Sequence, residues 1–402
     1  MDPGALARRG AALTRPRALA LLALAELLGM SVWFSASALA PQLSEAWSLS
    51  AAQTGWLTSA VQLGFVAGTA AAALLNLADV VPARAYFAVA AFAAAASNAA
   101  LLAAGSFAPA LLTRFATGLF LAGVYPPAMK MIATWYRDGR GFAIGTVVGA
   151  LTVGKATPFL VHGLERSGVG PVVLGASAAT AAAGLLVLAF YRDGPHAFAR
   201  RPFAWSLVGT VLRCREVRLA TGGYLGHMWE LYAMWTWIAA FLAAGAGLSG
   251  AGADIAAFAA IAAGGAGCVL GGLLADRYGR ERLTIGAMAL SGACAAVIGL
   301  TSPWPALVVA VAVVWGFAVV ADSAQFSALV TELAPPHAVG TALTLQTSLG
   351  FLLTMASIQL VPRLVELVGW RWSFVALAVG PALGIAAMRL LLLRRAAEPP
   401  GR

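Results

Sequence analysis

The sequence predicts an all-α membrane protein with twelve transmembrane helices, and two observations lead to this fold class. The 402 residues are 61% hydrophobic and 10% charged, with a mean hydropathy of +0.84, whereas soluble proteins carry about one quarter charged residues. The apolar runs are about 20 residues long and do not alternate, so they match helices that span a bilayer. A closed β-barrel, the other structure that satisfies its backbone in lipid, requires alternation.

Twelve apolar segments of spanning length follow one another along the chain. They are predicted at residues 17–40, 53–75, 85–104, 108–131, 142–162, 171–191, 219–244, 252–275, 284–301, 306–329, 339–361 and 372–393. We therefore predict a six-helix bundle in residues 1–191, a cytoplasmic linker in 192–218 and a second six-helix bundle in 219–402. The linker is interpreted either as an interfacial helix whose arginines meet lipid headgroups or as a solvated tether.

Basic residues lie mainly on one side of this predicted topology. The chain has 24 arginines and two lysines against 16 acids. With the N-terminus inside, nineteen arginines lie in cytoplasmic segments and three outside, as expected for cytoplasmic termini. The positive charge thus indicates membrane orientation rather than nucleic-acid binding. The alanine- and arginine-rich composition favours a bacterial inner membrane.

Several functional classes find no support in the sequence. It contains no G-x-x-x-x-G-K-[ST] phosphate loop, and its three cysteines lack metal-site spacing. No soluble segment is long enough to hold an enzyme. We expect no cofactor, metal or catalytic activity; the expected partners of the chain, as a monomer, are a small solute, a coupling ion and lipid.

The loop between the eighth and ninth segments carries a motif. It reads Gly-Leu-Leu-Ala-Asp-Arg-Tyr-Gly-Arg-Glu-Arg at residues 272–282, and it resembles the major facilitator superfamily signature G-x-x-x-D-R-x-G-R-[RK]. The matching residues are Gly272, Asp276, Arg277, Gly279 and Arg280, whereas Glu281 departs. A worn copy at 75–84 keeps Asp79 and Arg84. We call residues 272–282 the gating loop.

The resemblance implies two related six-helix bundles that move by alternating access. Equivalent positions recur 195 to 198 residues apart, as in the pairs Asp79 and Asp276, Gly145 and Gly340, and Gly118 and Gly316. Asp276 is expected to pair with Arg277 or Arg280, to cap a neighbouring helix and so to lock one side. Small residues four apart predict either a sliding seam between the bundles or ordinary helix packing; they are Gly64 and Gly68, Gly141, Gly145 and Gly149, and Gly267 and Gly271.

Five ionisable residues lie inside the predicted helices, where a charge costs several kcal/mol. They are Glu26, Arg114, Lys155, Glu230 and Asp322, in spans one, four, five, seven and ten. In the superfamily that the chain resembles, spans one, four, seven and ten line the central cavity. Arg114 begins a segment that resembles the family's fourth-span motif R-x-x-x-G-x-x-x-A, which is linked to proton movement.

Two sets of site residues follow from these placements. The substrate is predicted to contact Lys155, Arg114, Trp237, Tyr125 and Gln325. Proton coupling is assigned to Glu26, Glu230, Asp322 and His227. Lys155 is interpreted as an anion site, as a permanent ion pair with Glu26, Glu230 or Asp322, or as a neutral lysine. One face of span seven, with Gly223, Gly226, His227, Glu230, Met234 and Trp237, is interpreted as a cavity wall or as core.

The sequence therefore predicts proton-coupled transport of a small organic or inorganic anion. The alternative is a drug/proton antiporter that exports lipophilic compounds. The export motif G-x-x-x-G-P-x-x-G-G is broken here, because Gly145 and Gly149 match but Ala150 replaces the proline. A membrane receptor or assembly protein that transports nothing is the third hypothesis.

Overall fold

The computed structural model describes residues 13–75, 77–165, 168–196 and 203–397, and every regular element in these ranges is a helix. We number the spans one to twelve along the chain. Spans one to six are Arg15–Gly29 continued by Ser35–Ala38 and Ala40–Trp47, Ala51–Leu74, Ala83–Ala99, Phe107–Leu121 continued by Tyr125–Ala133, Arg140–Glu165 and Val169–Phe190. Spans seven to twelve are Arg215–Ala240, Gly250–Tyr278, Arg280–Val297, Pro305–Ala321 continued by Ser323–Leu333, Val339–Val368, and Trp370–Ser373 continued by Val379–Ala397.

The predicted all-helical membrane fold is confirmed. Within the described ranges, ten helices are long and apolar enough to cross a bilayer, and spans one and seven complete the predicted twelve. Span one falls below the length criterion because its first helix ends at Gly29 after 15 residues. Span seven is 26 residues long, but its polar side chains lower its hydropathy.

Three spans are interrupted near their middle. Span one leaves helical geometry between Gly29 and Ser35, span four between Leu121 and Tyr125, and span ten at Asp322. Pro126 and Pro127 begin the second helix of span four, where a proline costs no hydrogen bond. An interruption frees backbone groups that lipid cannot satisfy, so other protein groups must bond them.

Glycines determine how closely the spans approach. A Cβ atom placed on Gly145 or Gly149 of span five would lie 2.7 or 2.6 Å from the carbonyl oxygens of Cys268 and Gly265 in span eight. This seam joins the two halves. Gly64 and Gly68 instead face span four, and Gly267 and Gly271 face span ten, so these pairs pack helices within one half.

One end of the bundle collects both ends of the described chain, and we call it the arginine-rich face. There Arg15 donates a hydrogen bond to the carbonyl oxygen of Asp138. Arg394 pairs with Glu216 at 3.0 Å, and Arg395 with Glu281 at 2.5 Å. The gating loop lies at this same face, because it contains Glu281.

Candidate functional site

A cavity of about 70 Å³ lies between the two halves, and spans one, two, four, five, seven, ten and eleven line it. Its wall is mostly aromatic and aliphatic, with hydroxyl groups from Ser323, Ser327 and Thr347. Ligand pockets usually enclose about 300 Å³ or more. The halves are therefore drawn together around a contracted cavity in this conformation.

Lys155 presents a buried amino group to this cavity. Its side chain is 4% exposed, and its Nζ donates a hydrogen bond to the Tyr232 hydroxyl at 2.7 Å. The same nitrogen lies 4.2 Å from the ring centre of Trp33 and 5.4 Å from that of Trp235. No carboxylate of the described residues forms an ion pair with Lys155. The aromatic faces stabilise the cation only in part.

The rings around Lys155 come from both halves and pack on one another. Trp33 contacts Phe65 with ring centres 5.3 Å apart, and Phe65 contacts Phe351 of span eleven at 4.8 Å. Tyr232 of span seven lies 5.3 Å from Phe351. The aromatic cluster therefore bridges the halves, and any separation of the halves must break these contacts.

Glu26 is a buried acid that interacts electrostatically with Lys155. It is fully buried, and neither carboxylate oxygen has a hydrogen-bond partner among the described residues. Gly154 explains the approach of spans one and five, because a Cβ there would lie 2.1 Å from the carbonyl oxygen of Leu27. Because Glu26 precedes Leu27 and Lys155 follows Gly154, this close approach places Glu26 and Lys155 at the same depth in the bundle. A buried carboxyl group without hydrogen-bond partners destabilises the folded protein, so its presence here indicates a functional role.

Arg114 forms hydrogen bonds with the interrupted part of span one and does not face the cavity. Its guanidinium donates to the carbonyl oxygens of Val32 at 3.0 Å and Trp33 at 2.5 Å. It also donates to Ser35 Oγ at 3.1 Å and Asn98 Oδ1 at 2.8 Å. Arg114 is fully buried and does not line the cavity. Its donors thus satisfy carbonyl groups that the broken helix leaves free.

A second polar network lies inside the C-terminal half. Glu230 accepts hydrogen bonds from Ser291 Oγ at 2.8 Å and from Trp315 Nε1 at 2.7 Å. His227 Nδ1 lies 2.8 Å from Asp322 Oδ1, with both side chains buried. These groups do not line the cavity, and they link span seven to spans nine and ten.

Span seven turns a different face to the cavity from the one interpreted as its wall. Gly226 packs on Gly380, and Trp237 donates to the carbonyl oxygen of Ile358 at 2.9 Å. The lining side chains are instead Tyr224, Met228, Leu231, Tyr232 and Trp235. Trp33, Tyr232 and Trp235 were not among the predicted site residues, although aromatic and apolar residues at helical spacing in span seven could have indicated this face.

The remaining predicted site residues lie in two places. Tyr125 lines the cavity. Gln325 accepts a hydrogen bond from Arg280 at 2.6 Å, and Arg280 pairs with Glu332 at 2.8 Å. A Cβ on Gly141, at the start of span five, would lie 3.0 Å from Asp276 Oδ2, so this carboxylate faces a helix N-terminus of the other half.

The gating loop turns between spans eight and nine at Gly279, whose φ of 91° favours glycine. Arg277 lies over the Tyr278 ring at 5.2 Å. A Cβ on Gly272 would lie 2.9 Å from the Gly141 carbonyl oxygen, so this glycine also permits the approach of the halves. In the worn copy Arg84 is half-buried, and the side chain of Asp79 lies outside the described part.

The comparisons with protein sequences identify one family and one relative that matches over a short stretch. The model described as Major Facilitator Superfamily matches residues 21–358 and 221–402. A 3-(3-hydroxy-phenyl)propionate transporter of Escherichia coli (strain K12) is 39% identical over 79 residues. That match covers 20% of this chain and 19% of the relative.

Solved structures share the fold over nearly the whole chain. A bacterial homolog of the human lysosomal transporter Spinster, in an inward-facing and occupied conformation, is 18% identical with a TM-score of 0.76. The similarity covers 98% of this chain and all of that one. The nucleoside transporter NupG is 14% identical with a TM-score of 0.71, and the similarity covers 93% of this chain and 99% of NupG.

Proposed function

Because this chain belongs to the major facilitator superfamily of transporters, we propose that it moves a small organic anion across a membrane by alternating access with proton coupling. The observation that carries the proposal is the burial of Lys155 at the cavity without a close carboxylate among the described residues. An ammonium group buried between the halves, with aromatic rings and a tyrosine hydroxyl as its neighbours, binds an anion without first breaking a close ion pair.

An aromatic carboxylate is the substrate class that the cavity supports best. The carboxylate would meet Lys155, and the apolar part would pack among Trp33, Phe65 and Phe351. The relative that matches over 79 residues is named as a transporter of 3-(3-hydroxy-phenyl)propionate, which is an acid of this kind. An inorganic anion would leave the apolar wall without a role, and the charge of Lys155 disfavours the lipophilic cations of a drug antiporter.

Glu26 is the group that we assign to proton coupling. While the site is empty, its charge and that of Lys155 attract each other. A substrate carboxylate on Lys155 removes that advantage, and the buried Glu26 then accepts a proton rather than remain charged without a partner. One anion and one proton thus bind together. Glu230, His227 and Asp322 have closer partners and are assigned to holding span seven in place.

The membrane topology belongs to the same proposal. The excess of arginine in the predicted inner loops supports an inner-membrane protein with both termini in the cytoplasm. The halves at residues 1–191 and 219–402 would rock about the cavity, with residues 192–218 as their cytoplasmic connection.

Uptake into proteoliposomes tests the substrate site. Purified protein with an imposed proton gradient is expected to accumulate hydroxyphenyl-alkanoates. Lys155→Ala is expected to reduce uptake at least about tenfold, which corresponds to the loss of about 1.4 kcal/mol of binding. The control is Lys130→Ala, since Lys130 is the other lysine of the chain and does not line the cavity. Full uptake by the Lys155 variant would refute the anion site.

A further inference from the structure

Three polar side chains meet between the halves at the face opposite the gating loop. They are His162 near the end of span five, Asp254 near the start of span eight and Gln42 in the last helix of span one. His162 Nδ1 lies 2.7 Å from Asp254 Oδ2, and its Nε2 contacts the amide nitrogen of Gln42. The side chains of His162 and Asp254 are 11% and 12% exposed. These three residues, which we call the latch cluster, therefore join the halves outside the cavity lining.

The helices approach closely enough here to make the contact specific. A Cβ placed on Gly163, the residue after His162, would lie 3.0 Å from Ile255 Cγ1 and 3.1 Å from Asp254 Cβ. The cluster is thus part of the tight seam between spans five and eight. If the halves separate at this face, His162 and Asp254 must part, because each belongs to a different half.

The latch cluster accommodates His162 in both protonation states. In the neutral ring, Nδ1–H donates to Asp254 and Nε2 accepts from the Gln42 amide. In the protonated ring both nitrogens donate, and a half-turn of the Gln42 amide presents its oxygen to Nε2–H. The carboxylate contact then becomes an ion pair, with a stronger hydrogen bond than its neutral counterpart.

We propose that His162, with Asp254 and Gln42, is a second proton-binding site, separate from Glu26, and that a proton bound there holds this face closed. The inference rests on the proposed alternating access but not on the identity of the substrate. A proton that stabilises the closed face must also bind the closed face more tightly than the open one. Asp254 is the acid that faces the ring, and Glu45, on the helix of Gln42, is exposed.

The distance between two spin labels across this face measures its opening without any substrate. Ala46 and Leu367 are exposed residues of opposite halves near this face, and each is replaced by cysteine after Cys214, Cys268 and Cys294 are removed. The population with the long, open distance is expected to rise about fivefold or more relative to the population with the short, closed distance between about pH 5 and about pH 8, a range in which histidine titrates.

Two variants separate this proton site from other titrating groups. His162→Gln and Asp254→Asn are each expected to remove the pH dependence of the label distance. His337→Gln, at an exposed histidine outside the cluster, is expected to retain it. A pH dependence that persists in folded His162→Gln overturns the proposal, as does its absence from the protein with His162 intact. Failure to transport aromatic carboxylates would refute the proposed substrate and leave this result unaffected.

Discussion

Two buried glutamates of this protein have opposite surroundings. Glu26 has no hydrogen-bond partner among the described residues, whereas Glu230 accepts one bond on each oxygen, from Trp315 and Ser291. Both are almost completely inaccessible. A buried carboxylate with good partners stabilises the fold, and one without them destabilises it. Their replacement by glutamine should therefore have different consequences.

Glu26→Gln is expected to change the unfolding temperature little, because the removal of a buried charge without hydrogen-bond partners offsets the lost attraction to Lys155. It should also abolish the stimulation of uptake by an imposed proton gradient. In Glu230→Gln the amide oxygen can still accept from Trp315, but the serine hydroxyl must turn to accept from the NH2 and both bonds lose the charge of the carboxylate, so about 1–3 kcal/mol of stability is lost. Thermal unfolding of the two purified variants measures this contrast. A larger loss in the Glu26 variant would contradict these assignments.

Arg114 illustrates what sequence reasoning supplies for a single residue. An arginine inside a span needs a reason, and that much was predictable. Its partners Val32, Trp33 and Asn98 belong to spans one and three, and the break that frees the two carbonyl groups has no proline or other signal in residues 30–34. The sequence therefore located the charge, but only the tertiary structure gives its hydrogen bonds.

At the scale of elements, the seam between spans five and eight depends on glycine. A Cβ on Gly149 would lie 2.6 Å from a backbone oxygen, and backbone cannot move aside as a flexible side chain can. Gly149→Ala is expected to force the halves apart and to lower uptake about tenfold, although alanine favours the helix by about 1 kcal/mol. The matched control is Gly175→Ala in span six, where nothing lies within 4 Å.

Transport rates of the two glycine variants, normalised to the amount of folded protein, measure this effect. Equal rates would mean that the seam tolerates an added methyl group and that spans five and eight do not need this approach. The comparison is clean because both changes add one carbon atom to a helix, and only Gly149 faces another helix.

The helices were predictable because membrane hydropathy and length determine them almost alone. The cavity wall was less so. In span seven the glycines Gly223 and Gly226 attracted a functional interpretation, yet they pack on span twelve, while Tyr224 and Trp235 line the cavity. Glycine permits any close approach, to a ligand or to another helix. Which of the two occurs depends on how neighbouring spans are placed, and one sequence does not contain that information directly.

At the scale of the whole molecule, closure at the arginine-rich face involves the gating loop. Asp276 of the C-terminal half faces the first turn of span five, near Gly141. Arg280 bonds Gln325 and Glu332 within its own half. One contact between the halves here is therefore a carboxylate at a helix N-terminus, which is worth about 0.3–1 kcal/mol and up to about 2 in a partly buried position.

Asp276→Asn removes that charge and is expected to open the arginine-rich face. A cysteine at Ser327, which lines the cavity, would report the opening through its reaction with a membrane-impermeant maleimide added at that face. The rate should rise about two- to tenfold, since 1.4 kcal/mol corresponds to tenfold. The control is Asp193→Asn. Asp193 is an exposed acid at the same face, and it follows Arg192, whose carbonyl oxygen accepts a hydrogen bond from Trp135. If both variants label at the rate of the parent protein, the charge of Asp276 does not hold the halves together at this face.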